Sequence, residues 1–197
     1  MNFEQYITEK ASKNIIVVDI QPEYEHAFKF HEEFCEFLNE QSKKILYFYN
    51  GADSGFSSDT KSSIAYWLID HGLEERKLND IKWVDKGYGF FRSLMDEGID
   101  KGLIIKMIRY MFKKKVWDSR DIEIEEWFEL LGDEFKDAGW ILNGGDMINI
   151  PDIDIKTLKQ FSGAYIVGGG RNECFDELKL LMSAFNVRAT EVKKFIY

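Results

Sequence analysis

Proline, cysteine and histidine are scarce: the 197 residues include two prolines, two cysteines and three histidines. Cys35 and Cys174 lie far apart in the chain and form no disulfide framework, so a reducing compartment is expected. His26, His31 and His71 show no zinc-type spacing with a cysteine, and His26 and His31, five apart, do not share a helix face. They read as surface residues; no metal and no other cofactor is expected. Long apolar runs are also missing. None approaches the roughly 18 residues that span a bilayer, and no N-terminal apolar stretch leads to a cleavage site. A cytoplasmic protein without membrane contact is the expectation. There is no cationic excess: 26 Lys and Arg face 35 Asp and Glu, a net charge of −9. Phosphate backbones repel such a surface, so no nucleic-acid partner is expected. The Walker Lys-Ser/Thr pair is absent, as is a G-x-G-x-x-G after the first strand, which argues against nucleotide binding.

What is abundant is bulk. Apolar residues make up 45% of the chain, with 16 Phe and five Trp, enough for one sizeable core or an interface. Asn14-Ile-Ile-Val-Val-Asp19 is an unbroken β-branched run ended by an acid, which predicts a strand buried on both faces in a parallel sheet. Glu25 to Gln41 carries Phe30, Phe34, Phe37 and Leu38 at helical spacing, with Cys35 beside them. Lys44 to Tyr49 predicts a second strand, with a glycine-rich loop from Asn50 to Gly55. A helix capped by Ser57, Ser58 or Asp59 should run to Asp70 and stop at Gly72. Ile81 to Val84 predicts a short third strand.

The helical pattern Leu103, Ile104, Met107, Ile108, Met111 follows, then that of Ile124, Trp127, Phe128, Leu131 and Phe135. Trp140 to Ile150 reads as a hairpin around Asn143-Gly144. A short helix is expected between Pro151 and Phe161, a strand over Ala164 to Val167, a helix capped by Asn172, a final strand over Val187 to Val192 and a short tail. Strand and helix alternate, so the expected fold is a single α/β domain over 1–197. It has a mostly parallel central sheet with helices on both faces, three layers in all, and a helical insertion over 100–150.

Three chemically capable side chains stand just past predicted strands: Asp19, Lys86 and Cys174. In a parallel sheet those loops open on one edge, where ligands bind. Gly168-Gly169-Gly170 permits a sharp turn and a close approach to the backbone, after which Cys174 falls in the first turn of a helix. An acid near a thiol accepts its proton, and a lysine near both steadies negative charge. Glu173, next to the thiol, opposes a low thiol pKa. Equally, Cys174 is a small residue packed beneath a glycine-rich turn.

Three islands, roughly 60 residues in all, carry a resemblance. Val17-Val18-Asp19-Ile20-Gln21, Lys86-Gly-Tyr-Gly-Phe-Phe91 and Ile166-Val-Gly-Gly-Gly-Arg-Asn-Glu-Cys174 are similar, in motif and chain order, to the isochorismatase-like cysteine hydrolases. That superfamily includes nicotinamidases and N-carbamoyl amidohydrolases. The resemblance implies an isochorismatase-like fold and hydrolysis of a small amide, carbamoyl or related compound, with Cys174 as nucleophile, Asp19 as base and Lys86 as stabiliser. Gln21, Asn50, Gly169, Gly170, Arg171 and Asn172 are then the candidates for contacting the small-molecule substrate. The Asp-x-His metal motif of nicotinamidases has no counterpart: Asn50-Gly-Ala-Asp53 stands in its place.

The competing expectation is a non-catalytic α/β domain that binds a partner protein or a small anionic ligand, the glycine turn cradling the anion. Bulky aromatic residues would also suit a homo-oligomer. A Mg²⁺ site from Asp19, Asp53 and Asp85 is the weakest reading, since strand-end acids are common.

Overall fold

The computed structural model describes residues 13–51, 58–87, 91–135 and 148–197. Five strands form one sheet: β1 (Lys13–Val18), β2 (Ser42–Tyr49), β3 (Ile81–Asp85), β4 (Ala164–Gly168) and β5 (Ala189–Glu191). Their order is β3-β2-β1-β4-β5, and every pairing is parallel. β1 is central, and Ile15 to Val18 are all fully buried, as a run without polar alternation requires.

The pleat sorts this run between two cores. Ile16 and Val18 join Leu46, Phe48 and Ile166 beneath one helical layer; Ile15 and Val17 join Ile45, Tyr47 and Val167 beneath the other. The second layer holds α1 (His31–Gln41) and α2 (Lys61–Asp70), which connect β1 to β2 and β2 to β3. The first holds α4 (Lys101–Lys114), α5 (Ile124–Leu131) and α7 (Cys174–Ala184); the short helices α3 (Arg92–Asp96) and α6 (Ile155–Gln160) lie between β3 and β4 in the chain. The 100–150 stretch thus lends Met107, Ile108, Met111 and Trp127 to the core shared with the sheet. Among the described residues no helix is long and apolar enough to cross a membrane.

Several boundaries differ from expectation for local reasons. The helix expected from Glu25 begins at His31; before it lie a 3-10 turn, Pro22–Tyr24, and a loop whose Phe28 is buried. Glu32 and Glu33 occupy the first turn, where the helix dipole favours acids. α2 is capped by Thr60 in a reciprocal box with Ser63. Asp59 instead turns inward, accepting from Gln21 Nε2 (2.9 Å) and the Glu23 amide (3.0 Å). Asn172 does not cap α7; it sits at φ 61° and its own amide donates to Asp176 Oδ2 at 2.7 Å. The last strand is shorter than expected, and the tail after it is not loose: Phe195 is fully buried against Phe34 and Phe37. The arm over 1–12, Ser57, and most of the hairpin around Asn143-Gly144 lie outside the described residues; Asn149 forms an isolated antiparallel bridge with Asp118.

Candidate active site

β1 sends its chain to α1 on one face and β4 sends its chain to α7 on the other. The two loops therefore diverge at their carboxyl ends, the topological switch point at which open α/β sheets bind ligands. Val18 is in register with both Phe48 and Gly168, so Asp19, Tyr49 and Gly169 leave the sheet level with one another and Asn50 follows directly. Asp19 takes a left-handed conformation, φ 50°, tolerated by Asp better than by most residues. Its amide still donates to the Phe48 carbonyl at 3.0 Å, extending the ladder by one bond before the chain turns.

Two glycines make the β4–α7 turn possible. A Cβ on Gly168 would lie 2.1 Å from the Val18 carbonyl oxygen, and one on Gly169 would lie 2.8 Å from the Phe175 nitrogen; both have positive φ. The group that approaches this backbone closely is the protein's own chain.

Lys86 follows β3, two strands from β1, and its amide donates to the Tyr49 carbonyl at 3.0 Å. Two inter-strand spacings amount to about 10 Å, which the lysine stem, the contact itself and the Asp19 side chain together span across the end of β2. Its ammonium meets Asp19 Oδ2 at 3.0 Å, with both side chains essentially inaccessible. Cys174, the first residue of α7, is partly buried and unpaired with Cys35; both thiols are free. The Cys174 thiol lies close enough to the Asp19 carboxylate and the Lys86 ammonium for both to act on its ionisation. Asp19, Lys86 and Cys174 therefore meet at one point of the sheet edge.

The electrostatics of the three are opposed. Burial pushes the Cys174 thiol pKa well up, the Asp19 charge adds to that, and Lys86 works against it. Burial also disfavours the Lys86 charge, but Asp19, Cys174 and Glu177 outweigh burial, and its pKa is held above the ordinary lysine value. These directions favour a protonated thiol and a charged lysine.

Four further residues close around the triad. Glu177, one helical turn after Cys174, is fully buried and accepts the Phe91 amide at 2.7 Å. Arg92 pairs with Glu177 Oε2 at 3.3 Å and points Nη2 at Cys174 Sγ at 3.7 Å. Burial and the nearby Asp19 push the Tyr24 hydroxyl up to about 12. The Tyr197 hydroxyl donates to the Asp19 carbonyl at 2.8 Å, and its pKa is raised by burial and Asp19. The i, i+3 spacing of Cys174 and Glu177 was legible in the sequence as a shared helix face; Arg92, Tyr24 and Tyr197 carried no such signal.

The remaining expected contacts are distributed unevenly. Gln21 is buried and engaged within the protein: Oε1 accepts the Asn50 amide at 2.9 Å, while Nε2 donates to the Asn50 carbonyl at 3.1 Å and to Asp59. Asn50 is buried and donates from Nδ2 to Tyr24 Oη at 3.2 Å. Gly169 and Gly170 shape the turn. Arg171 and Asn172 are exposed, Arg171 pairing with Glu191 at 3.7 Å. Asp85 accepts the Gly87 amide at 2.9 Å and the Gly51 amide at 3.3 Å; Asp53 lies outside the described residues.

No protein-family model, curated protein or solved structure matches this chain.

Proposed function

We propose that this chain is a cysteine hydrolase of isochorismatase-like type, acting on a small amide, carbamoyl or related compound. The observation that supports it is the meeting of Asp19, Lys86 and Cys174, far apart in sequence, around one buried 3.0 Å ion pair.

In this reading the raised thiol pKa makes a base necessary. As Sγ bonds to the substrate carbonyl carbon, Asp19 takes the thiol proton and the carbonyl π pair moves onto oxygen. Lys86 and the N-terminus of α7 oppose the negative charge that builds up. Collapse of the adduct breaks the C–N bond, and the departing amine takes the proton from Asp19, leaving a thioester. Water, deprotonated by Asp19, adds to the thioester; the acid departs and Cys174 regains its proton. Arg92 keeps the buried Glu177 charge compensated beside the sulfur.

The test is a panel of small amides, ureas and carbamoyl amino acids, read as ammonia release and as an acyl adduct by intact mass. Wild type should turn over at least one class. Cys174→Ala should be inactive, and Asp19→Asn should retain thiol but lose turnover by about 10²–10⁴-fold. Turnover retained in Cys174→Ala, or a panel that yields neither ammonia nor adduct, overturns the reading.

A further inference from the structure

On the opposite side of the sheet from α7, the loop before α1, the start of α1 and the end of α2 bring Glu25, His31 and His71 together. One ligand-capable atom from each lies within 4.8 Å of the other two. His71 Nε2 is 3.9 Å from Glu25 Oε1. We infer that these three side chains form a binding site for a divalent transition-metal ion of the zinc class, apart from the candidate active site.

Three observations carry it. His71 Nδ1 lies 2.8 Å from the Trp67 carbonyl oxygen. A carbonyl only accepts, so Nδ1 bears the hydrogen, and in the neutral ring Nε2, on the Glu25 side, is the nitrogen with the lone pair. Metal-bound histidines commonly have this arrangement, the outer nitrogen donating to a backbone carbonyl and so fixing the tautomer. His31 Nε2 is buried and has no hydrogen-bond partner among the described residues. A shielded ring nitrogen of this kind costs free energy unless something satisfies it, and a metal ion would. The rings are also held in place: His31 packs edge-on against Phe28 and Trp67, and the two imidazole centroids are 4.9 Å apart.

The surroundings favour a cation. His71 also lines an open groove of about 540 Å³ with Glu32, Glu33, Glu36 and Asp70. The donor set selects among metals. Two imidazoles and one carboxylate suit Zn²⁺, Co²⁺, Ni²⁺ or Cu²⁺, whereas Mg²⁺ and Ca²⁺ need more oxygen ligands. Tetrahedral zinc with ligand bonds of about 2.0–2.2 Å brings its donors to about 3.3 Å of one another. In the inferred complex the donors draw together by side-chain rotation, most freely at exposed Glu25, and a fourth position is left for water. His31, expected at the surface, is partly buried, and its ring neighbour is His71.

The experiment uses tag-free, metal-stripped chain, titrated with Zn²⁺ by calorimetry and with Co²⁺ by visible absorption. The expected result is one ion per chain with a tetrahedral Co²⁺ spectrum, unaffected by Mg²⁺. His31→Gln should weaken binding by at least about tenfold, Glu25→Gln should weaken it and alter the Co²⁺ spectrum, and Cys174→Ser should leave it unchanged. No saturable one-to-one uptake, binding abolished by Cys174→Ser, or wild-type binding in His31→Gln overturns the inference. Should His31→Gln fail to fold by circular dichroism, exposed Glu25 decides: affinity and spectrum unchanged in Glu25→Gln overturn it.

Discussion

Replacing Lys86 by methionine keeps an unbranched side chain but removes the cation facing Asp19. At 3.0 Å and an effective dielectric of 20, the attraction between the two charges is about 5–6 kcal/mol. Much of that offsets the cost of burying both, so the gross figure is not the net contribution. The single variant is different, because it leaves a fully buried carboxylate without its counter-ion, and such changes cost about 3–5 kcal/mol. Adding Asp19→Asn removes the stranded charge while tolerating the left-handed backbone, so the double variant should return to within about 1 kcal/mol of wild type. Urea unfolding at pH 7 by fluorescence measures all four corners of the cycle, with unchanged slope as the check on two-state behaviour.

The pH dependence follows from the raised lysine pKa. Its contribution is complete below the unfolded value of about 10.4 and is lost as pH rises through the higher folded value. The gap between wild type and Lys86→Met should therefore hold to about pH 10 and shrink above it. A Lys86→Met loss under about 1 kcal/mol, or a double variant no more stable than Lys86→Met alone, would refute the buried ion pair as the organising contact.

Further outcomes follow from the same geometry. Alkylation of Cys174 should reach half its maximal rate above the free-thiol pKa of about 8.5, since burial and then Asp19 raise it; Asp19→Asn should move that midpoint down and Lys86→Met up, and a wild-type midpoint below 8 would contradict the arrangement. Glu177→Gln, which keeps an acceptor for the Phe91 amide, should also lower the midpoint, because Glu177 raises the thiol pKa. Cys35, fully buried and pushed up to about 12 by that burial, should stay unlabelled in the native protein at neutral pH. Gly168→Ala places a methyl 2.1 Å from the Val18 carbonyl at φ 85° and should cost more than about 2 kcal/mol in urea unfolding. Phe195→Ala empties a fully buried ring site and should cost about 3–5 kcal/mol; a loss under 1 kcal/mol would mean that the tail does not close the core.

The layered arrangement was legible in the amino-acid pattern. An unbroken β-branched run such as Ile15–Val18 is stable only where both faces are covered, and the 3.6-residue apolar spacing of α4, α5 and α7 dictates which side faces the sheet; both signals are local, so both are legible. The sequence also placed Asp19, Lys86 and Cys174 at strand ends, because parallel strands put their carboxyl ends on one edge. Boundaries governed by competing local bonds were less legible: Asp59 could cap a helix or clamp Gln21, and only the packed chain selects the second. The sequence could not disclose contacts that depend on strand order. Tyr197 reaches Asp19 because the chain after β5 folds back over the β4–α7 turn, and Arg92 reaches Glu177 because α7 packs on the same face as the chain leaving β3. The pairing of His31 with His71 belongs to the same class: the start of one helix and the end of another meet because both cover one face of the sheet. Such contacts join residues from 40 to 178 positions apart, and no periodicity within either segment records them; they come from tertiary packing.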